Sequence, residues 1–528
     1  MAPACALFRP SHLLASLSLL CLVLAGCTVG PDFTRPDVAA NADYSREKLT
    51  TTAQADIAVG GAAQRLIAGM DIPGQWWTLF RSPALNALVE EALRANPDVS
   101  AAQAALRQAN ELVYADQASL FPSVSGNVQK TREKVSGATS GLPESPILTV
   151  SSASLSVSYA PDVFGGTRRQ IESTTAQAEY QRFQLEATYL TLTSNVVNTA
   201  ISLASVRDQV AATEEIIRLQ SDQLDLLQAQ RRLGAIGDAD VLTQQTALAQ
   251  TRATLPPLQK QLAQTRNQLM AYLGRFPNQD RGERFNLASL QLPQELPLSL
   301  PSAIVGQRPD VRSAQAQLHQ ASANIGVAVA NQLPQFSITG SLGSTVTSGT
   351  KLFSAGSGVW SLAGSITQPI FDAGALEHRK RAAVAAYDES AARYRGTVIT
   401  AFQDVANALR ALEADADALN HQQVAAEHSA QANLDLVQAQ FRLGAVAYIN
   451  LLTAQQTYQN TALARVKAQA ARYSDTTALF QALGGGWWNR ADVDPATKGR
   501  PDRFGLPSWQ EIMPAKTKAA PADAARLN

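Results

Sequence analysis

The chain has 528 residues, and its 44 Lys and Arg balance 44 Asp and Glu, so no net basic charge calls for a nucleic-acid partner. Charged residues make up only 17%, which is low for a chain with this much predicted helix. Ala and Gln fill the gap, and such a surface suits helices that pack against other helices. The three cysteines are Cys5, Cys21 and Cys27, so the sequence beyond them offers no internal disulfide.

Residues 1–26 read as a signal segment. Arg9 and His12 precede an apolar run, Leu13 to Leu24, too short for a stable membrane anchor. The run ends Leu24-Ala25-Gly26-Cys27, which matches a lipobox. Cys27 is therefore the expected mature N-terminus, bearing a covalent lipid, and no other cofactor is expected. Thr28, where inner-membrane lipoproteins often carry Asp, favours the outer membrane. Residues 27–84 form an irregular lead-in with Gly30-Pro31-Asp32 and a Trp76-Trp77 pair.

Leu85 to about Ala118 is amphipathic helix, with Pro97 predicting a break near Asn96. Beyond Pro122, Val124, Gly126 and Val128 alternate with Ser123, Ser125 and Asn127, and Leu155, Val157 and Tyr159 alternate with Ser154, Ser156 and Ser158. This is period-two patterning, so the segment predicts a hairpin. No Pro or Gly falls between Gly166 and Leu233, and a single helix of that span is roughly 100 Å long at 1.5 Å per residue. Val196, Leu203, Val210, Ile217 and Leu224 recur every seven residues, with Thr199, Val206, Thr213, Gln220 and Leu227 in the second seam position. A turn at Arg232-Leu233-Gly234 leads to a shorter helix, Val241 to about Leu273, which Pro256-Pro257 must bend.

The order then repeats. Asn96-Pro97-Asp98-Val99 returns 212 residues later as Arg308-Pro309-Asp310-Val311, and Arg232-Leu233-Gly234-Ala235 returns 210 residues later as Arg442-Leu443-Gly444-Ala445. Phe336 and Ile338 start a second hairpin, and Trp360, Leu362 and Ile366 lie on its return strand. A second long run, Ala375 to Leu443, is interrupted only by Gly396, and a second short helix spans Ile449 to about Leu483. The organisation read here is a first repeat at 85–274, a linker at 275–297, a second repeat at 298–487 and a tail at 488–528.

No stretch after the signal segment is long and apolar enough for a transmembrane helix, so any membrane crossing falls to the strands. Each run reaches the roughly 9–11 residues that a tilted strand needs. Two hairpins cannot close a barrel, and open edges are forbidden in lipid, so several copies would have to pool their strands. The competing reading of these strands is a soluble β-sandwich fragment.

The sequence resembles the outer membrane factor family, the TolC-like efflux ducts, and most closely its lipoprotein (NodT-type) branch. The residues that carry the likeness are Cys27-Thr28-Val29-Gly30-Pro31-Asp32, Trp76-Trp77 with Phe80, Asn96-Pro97-Asp98 and Asp162-Val163-Phe164-Gly165. Arg232-Leu233-Gly234, Gln368-Pro369-Ile370-Phe371-Asp372 and Leu483-Gly484-Gly485-Gly486-Trp487 complete the set. The resemblance implies an α+β membrane protein, a homotrimer with four strands per chain in one twelve-stranded outer membrane barrel. That barrel would continue into a long periplasmic α-helical barrel. It implies a passive duct without catalytic residues, lodged in outer membrane lipid and fed by an inner membrane efflux transporter through a periplasmic adaptor.

It also implies that the helical tips form the periplasmic mouth and adaptor-docking site. The residues concerned are Arg232, Leu233, Gly234, Asp240, Arg442, Leu443, Gly444, Asn450 and Thr453. Gly at 234 and 444 is equally required by a left-handed helix end. Some family members close the mouth with a D-x-x-D pair where this chain has Asn450 and Thr453, and Phe441 and Val446 replace a Tyr and an Arg. The hydrogen-bonded latch is therefore not expected in that form, and apolar contacts among Val446, Ile449 and Leu451 would narrow the mouth instead. Trp76-Trp77 and Trp487-Trp488 are expected to pack an equatorial girdle. His421 and His428 are read as exposed helix residues, Glu413, Asp415 and Asp417 as a solvated patch, and no metal site is expected. The alternative function is a structural coiled-coil lipoprotein that tethers the outer membrane, a role with no use for paired amphipathic hairpins. No enzyme motif supports a third reading.

Overall fold

The computed structural model describes residues 28–36, 44, 49–57, 59–136, 147–283, 285–299, 301–347 and 352–491. Cys27, the segment before it and the tail beyond 491 lie outside the described residues. The first repeat runs α1 (Pro83–Ala95), α2 (Pro97–Ala118), β2 (Ser123–Lys134), β3 (Ile147–Tyr159), α3 (Gly166–Arg232) and α4 (Asp238–Tyr272). The second runs α5 (Pro301–Gln307), α6 (Pro309–Ala330), β5 (Gln335–Val346), β6 (Gly358–Thr367), α7 (Ala375–Asp417), α8 (Ala425–Arg442) and α9 (Tyr448–Ala482). The lead-in and the predicted linker are less irregular than their composition suggests. Each contributes a four-residue strand, β1 (Arg65–Ala68) and β4 (Glu295–Leu298), and the two pair in parallel.

The predicted break at Asn96 is present, and the two repeats make it differently. Asn96 is extended (φ −69, ψ 129), and its Oδ1 accepts from the Asp98 N–H at 2.8 Å, capping α2 with Pro97 at its first position. Its Nδ2 donates to the Tyr272 carbonyl at 3.0 Å, which ties the break to the end of α4. Arg308 holds the equivalent place and donates through Nη1 to the Ala482 carbonyl at the end of α9, at 3.0 Å. It also pairs with Asp310 and Asp404. One joint is thus held by an amide and its counterpart by a buried cation.

The four long strands form one antiparallel sheet in the order β2-β3-β5-β6. The register sets Val124 opposite Val157, Leu155 opposite Leu342, Leu342 opposite Trp360, and Phe336 opposite Ile366. Because side chains alternate, this gathers the large apolar groups on one face, and most of them are exposed in the chain. The other face carries small polar groups, with Ser337–Ser365 and Ser341–Ser361 hydroxyl contacts at 2.7 and 2.8 Å. No described strand pairs with the outer edges of β2 and β6.

α3 is a single helix of 67 residues, about 100 Å long, as predicted. Its buried seam differs from the strict heptad. Thr199, Val206, Thr213, Gln220 and Leu227 are buried, but Val210, Ile217 and Leu224 are only half-buried. Gln209, Ile216 and Gln223, each one residue earlier, take their places, so below Val206 the buried seam keeps its seven-residue spacing and only one of its two rows is displaced. The second long run is not interrupted at Gly396, which lies inside α7. The interruption is a π-helical stretch at Ala418–Val424. α7, this stretch and α8 have 43, 7 and 18 residues, together one more than α3. Both runs start at a left-handed glycine, Gly165 or Gly374, and end at the same Arg-Leu-Gly turn. The π turn is where the extra residue is absorbed.

The main core lies where the lead-in, α1, α4 and α9 meet the middle of α3. Trp76 stacks on Phe480 at 5.2 Å, and both are almost fully buried with Phe80 and Tyr473. Arg472 is fully buried and donates to the carbonyls of Gly60 and Ala62, fastening the lead-in to α9. Trp487 Nε1 donates to the Gln307 carbonyl at 2.6 Å and Trp488 Nε1 to Asp71 at 3.0 Å, so the tryptophan pairs pack the girdle as expected. Above the girdle, Gly30 (φ +92) passes so close to α6 that a Cβ would lie 2.4 Å from Gly326 Cα.

Candidate functional site at the helical tips

The two tips have the same backbone solution. Gly234 (φ +73) and Gly444 (φ +72) follow the long helices in the left-handed region. The Ala235 N–H then donates to Gln230 O, and the Ala445 N–H to Gln440 O, each at 2.9 Å. This six-to-one closure satisfies the last helical carbonyls and requires glycine at the turn. Leu233 and Leu443 are each 84% exposed, flanked by exposed Arg232 and Arg442. Each tip thus offers one leucine beside a cation.

The tips differ in acidity. α4 starts with Asp238 and Asp240, which favour the positive end of the helix dipole, whereas the first turn of α9 has no acidic residue. Asp238 pairs with Arg231. Asp240 is half-buried, with no hydrogen bond or ion pair among the described residues. Asn450 and Thr453 are exposed on α9, and the Thr453 hydroxyl only donates back to Ile449 O at 2.9 Å.

A small separate core joins the tips, and it corrects the expected apolar constriction. Leu451 is fully buried in it with Leu227, Val241, Tyr448 and Leu452, so it braces the protomer and is not free to line a mouth. Ile449 is exposed and Val446 half-buried. Sequence reasoning also missed Tyr448 and Gln244. The Tyr448 hydroxyl donates to Gln244 Oε1, and Gln244 Nε2 donates to the Gln220 carbonyl at 2.7 Å. The chain links α9, α4 and α3, and both side chains are buried. Burial and then the Asp240 charge push the Tyr448 hydroxyl far above its ordinary pKa, keeping it a donor. Nothing in the repeat marks this lock, because the residues 210 positions away, Asp238 and Ala454, carry no matching pair.

The predicted solvated patch is also corrected in part. Asp415 on α7 faces Asp475 on α9, and burial followed by the Asp415 carboxyl pushes Asp475 up to about 7. Asp417 is exposed and Glu413 is half-buried, bonded to Arg410 at 2.7 Å. His428 is exposed, and the side chain of His421 lies outside the described residues.

The described fold matches that of known proteins. A family model described as outer membrane efflux protein matches residues 88–275 and 300–485. The chain is 30% identical over 482 residues to the probable efflux pump outer membrane protein TtgC of Pseudomonas putida, covering 90% of this chain and 96% of the relative. It is 30% identical over 426 residues to the pyoverdine export outer membrane protein OpmQ of Pseudomonas aeruginosa, covering 78% and 87%. Among solved structures, the outer-membrane channel OprN superposes with a TM-score of 0.78 at 27% identity, over 87% of this chain and all of that one. The class defined by the fold is an outer membrane channel with periplasmic helices. The chain belongs to the outer membrane efflux protein family, and it serves efflux from the outer membrane.

Proposed function

We propose that three copies form a passive exit duct of a tripartite pump, which takes small molecules from an inner membrane transporter and its periplasmic adaptor to the exterior. The observation that carries this is that, among the described residues, the outer edges of β2 and β6 have no partner strand, in a sheet with one large apolar face. In lipid such edges are untenable, because each unsatisfied backbone group costs several kcal/mol. Pairing β6 of one copy with β2 of the next satisfies them, and three copies give twelve strands. Ile370 and Phe371, 91% and 88% exposed just beyond β6, lie where the next copy or lipid would cover them.

The exposed leucines and arginines of the two tips suit docking of the adaptor. Covalent lipid on Cys27 is supported by the position of its neighbour. A Cβ on Gly165, at the β3–α3 junction, would lie 2.7 Å from Thr28 Cγ2, so the lead-in starts at the foot of the sheet. Acyl chains on Cys27 would enter the bilayer there. The duct itself performs no chemistry.

Crosslinking of membrane-extracted protein, paired with conductance in a planar bilayer, tests the assembly. Three-chain species that conduct are expected, and a stable membrane-inserted monomer would overturn it. Mass spectrometry of the N-terminal peptide tests the lipid, and an unmodified Cys27 rules it out.

A further inference from the structure

At the foot of the lead-in, three arginines converge from three elements. Arg35 comes from the lead-in, Arg182 from α3 and Arg312 from α6. The Arg312 guanidinium lies over the buried Phe183 ring, 4.8 Å from its centroid, and Arg182 is 5.6 Å from the same ring. Arg35 Nη2 approaches α5, where a Cβ on Gly306 would be 3.7 Å from it. Among the described residues neither Arg35 nor Arg312 has an ion pair, and Arg312 Nε is buried without a hydrogen-bond partner. Tyr394 on α7 is 6% exposed, and its hydroxyl is likewise buried without a partner. Burial, with Arg35 and Arg182 nearby, disfavours the charge on Arg312, and Glu179 favours it.

A guanidinium cannot relieve this by losing a proton. Arg312 is half-buried beside the exposed Arg35, and the buried Arg312 Nε and Tyr394 hydroxyl leave donors empty that an entering anion would fill. The donors fit an oxyanion. Two planar guanidinium groups offer forked N–H pairs, and a rigid phenol offers a third direction. We propose that Arg35, Arg312 and Tyr394 form a receptor for the phosphate or carboxylate group of a periplasmic ligand. Its depth selects among sources. Arg312 precedes Ala330, where α6 ends beneath the strands, by 18 residues. At 1.5 Å per residue it lies about 27 Å below the sheet, beyond the reach of bilayer headgroups. Dissolved phosphate and the carboxylates of cell-wall peptides remain.

The test uses the full-length protein in detergent. Its thermal unfolding is followed with increasing inorganic phosphate against chloride at matched ionic strength, and with co-sedimentation on purified cell-wall sacculi. Phosphate should raise the wild-type midpoint in a saturable way. Arg312→Met keeps the contact with Phe183 and removes the unpaired charge, so its midpoint without phosphate should equal or exceed wild type while the phosphate response disappears. Tyr394→Phe should weaken phosphate binding roughly tenfold without lowering the basal midpoint. Co-sedimentation that phosphate competes away assigns the site to cell-wall carboxylates, and a phosphate response without co-sedimentation assigns it to small anions. Absence of both, or equal responses in wild type and the two variants, overturns the proposal.

Discussion

Tyr448→Phe isolates the tip lock. The variant keeps the ring, which packs at 5.6 Å against Phe441, and removes only the hydroxyl that donates to Gln244. Packing is preserved, so the loss is one buried hydrogen bond plus the cost of leaving Gln244 Oε1 without a donor. Such a loss is about 1–3 kcal/mol. At 1.4 kcal/mol per factor of ten, local opening should become roughly 5- to 150-fold more frequent in each protomer. Hydrogen exchange of the detergent-solubilised protein should show faster exchange at 238–250 and 446–456, with the girdle around Phe480 unchanged. Single-channel records should show longer or larger open events, because α9 is no longer tied through α4 to α3. Unchanged tip exchange, or an equal increase at the girdle, would refute the reasoning.

Three further outcomes are expected. Arg308→Met leaves Asp310 and Asp404 without their cation and Ala482 O without its donor, and should destabilise the chain by about 3 kcal/mol, read from thermal unfolding by tryptophan fluorescence. Asp475 is pushed up to about 7 from 3.8, so its contribution to stability is full below about pH 4 and is lost as pH rises through about 7. Asp475→Asn should flatten that fall, with a higher midpoint than wild type at about pH 8. Asn450→Asp with Thr453→Asp adds carboxylates at exposed tip positions and should raise cation selectivity and block by divalent ions, measured as reversal potentials in asymmetric salt. A wild type that is already strongly cation-selective, and unaltered by Asp240→Asn, would place selectivity elsewhere.

The features legible in the sequence were those with a local cause. Pro97 after Asn96 breaks a helix wherever it stands, and the Arg-Leu-Gly turns need a left-handed glycine. Alternating Ser and apolar residues fix the strand faces. What stayed hidden depends on partners distant in sequence. β1 and β4 are four residues each and exist only because they pair across 230 positions. Tyr448 and Gln244 meet across 204 positions, and no pattern in either helix announces the contact. The seven-residue spacing of α3 is legible, but which row is buried below Val206 is not, because Gln209, Ile216 and Gln223 are covered by helices distant in sequence. Asp415 looked solvated because its neighbour Asp475 lies on another helix.

The duplicated halves show which features the wall requires and which are free to vary. Both repeats break a helix at the same place, and both tie the break to the end of their own short helix, through Asn96 to Tyr272 and through Arg308 to Ala482. The geometry is common and the chemistry is not, so the constraint is the joint itself. The one-residue excess of the second long helical run is absorbed at the π stretch, well above the tip, and both tips close on glycines with nearly the same φ. Within this matched backbone the side chains diverge. The first tip carries Asp238 and Asp240 and the second opens with no acid. In the proposed trimer, tips that carry acids and tips that carry none would alternate around the mouth. An adaptor reading all six would then meet two kinds of site with one backbone shape, and could tell them apart only by charge.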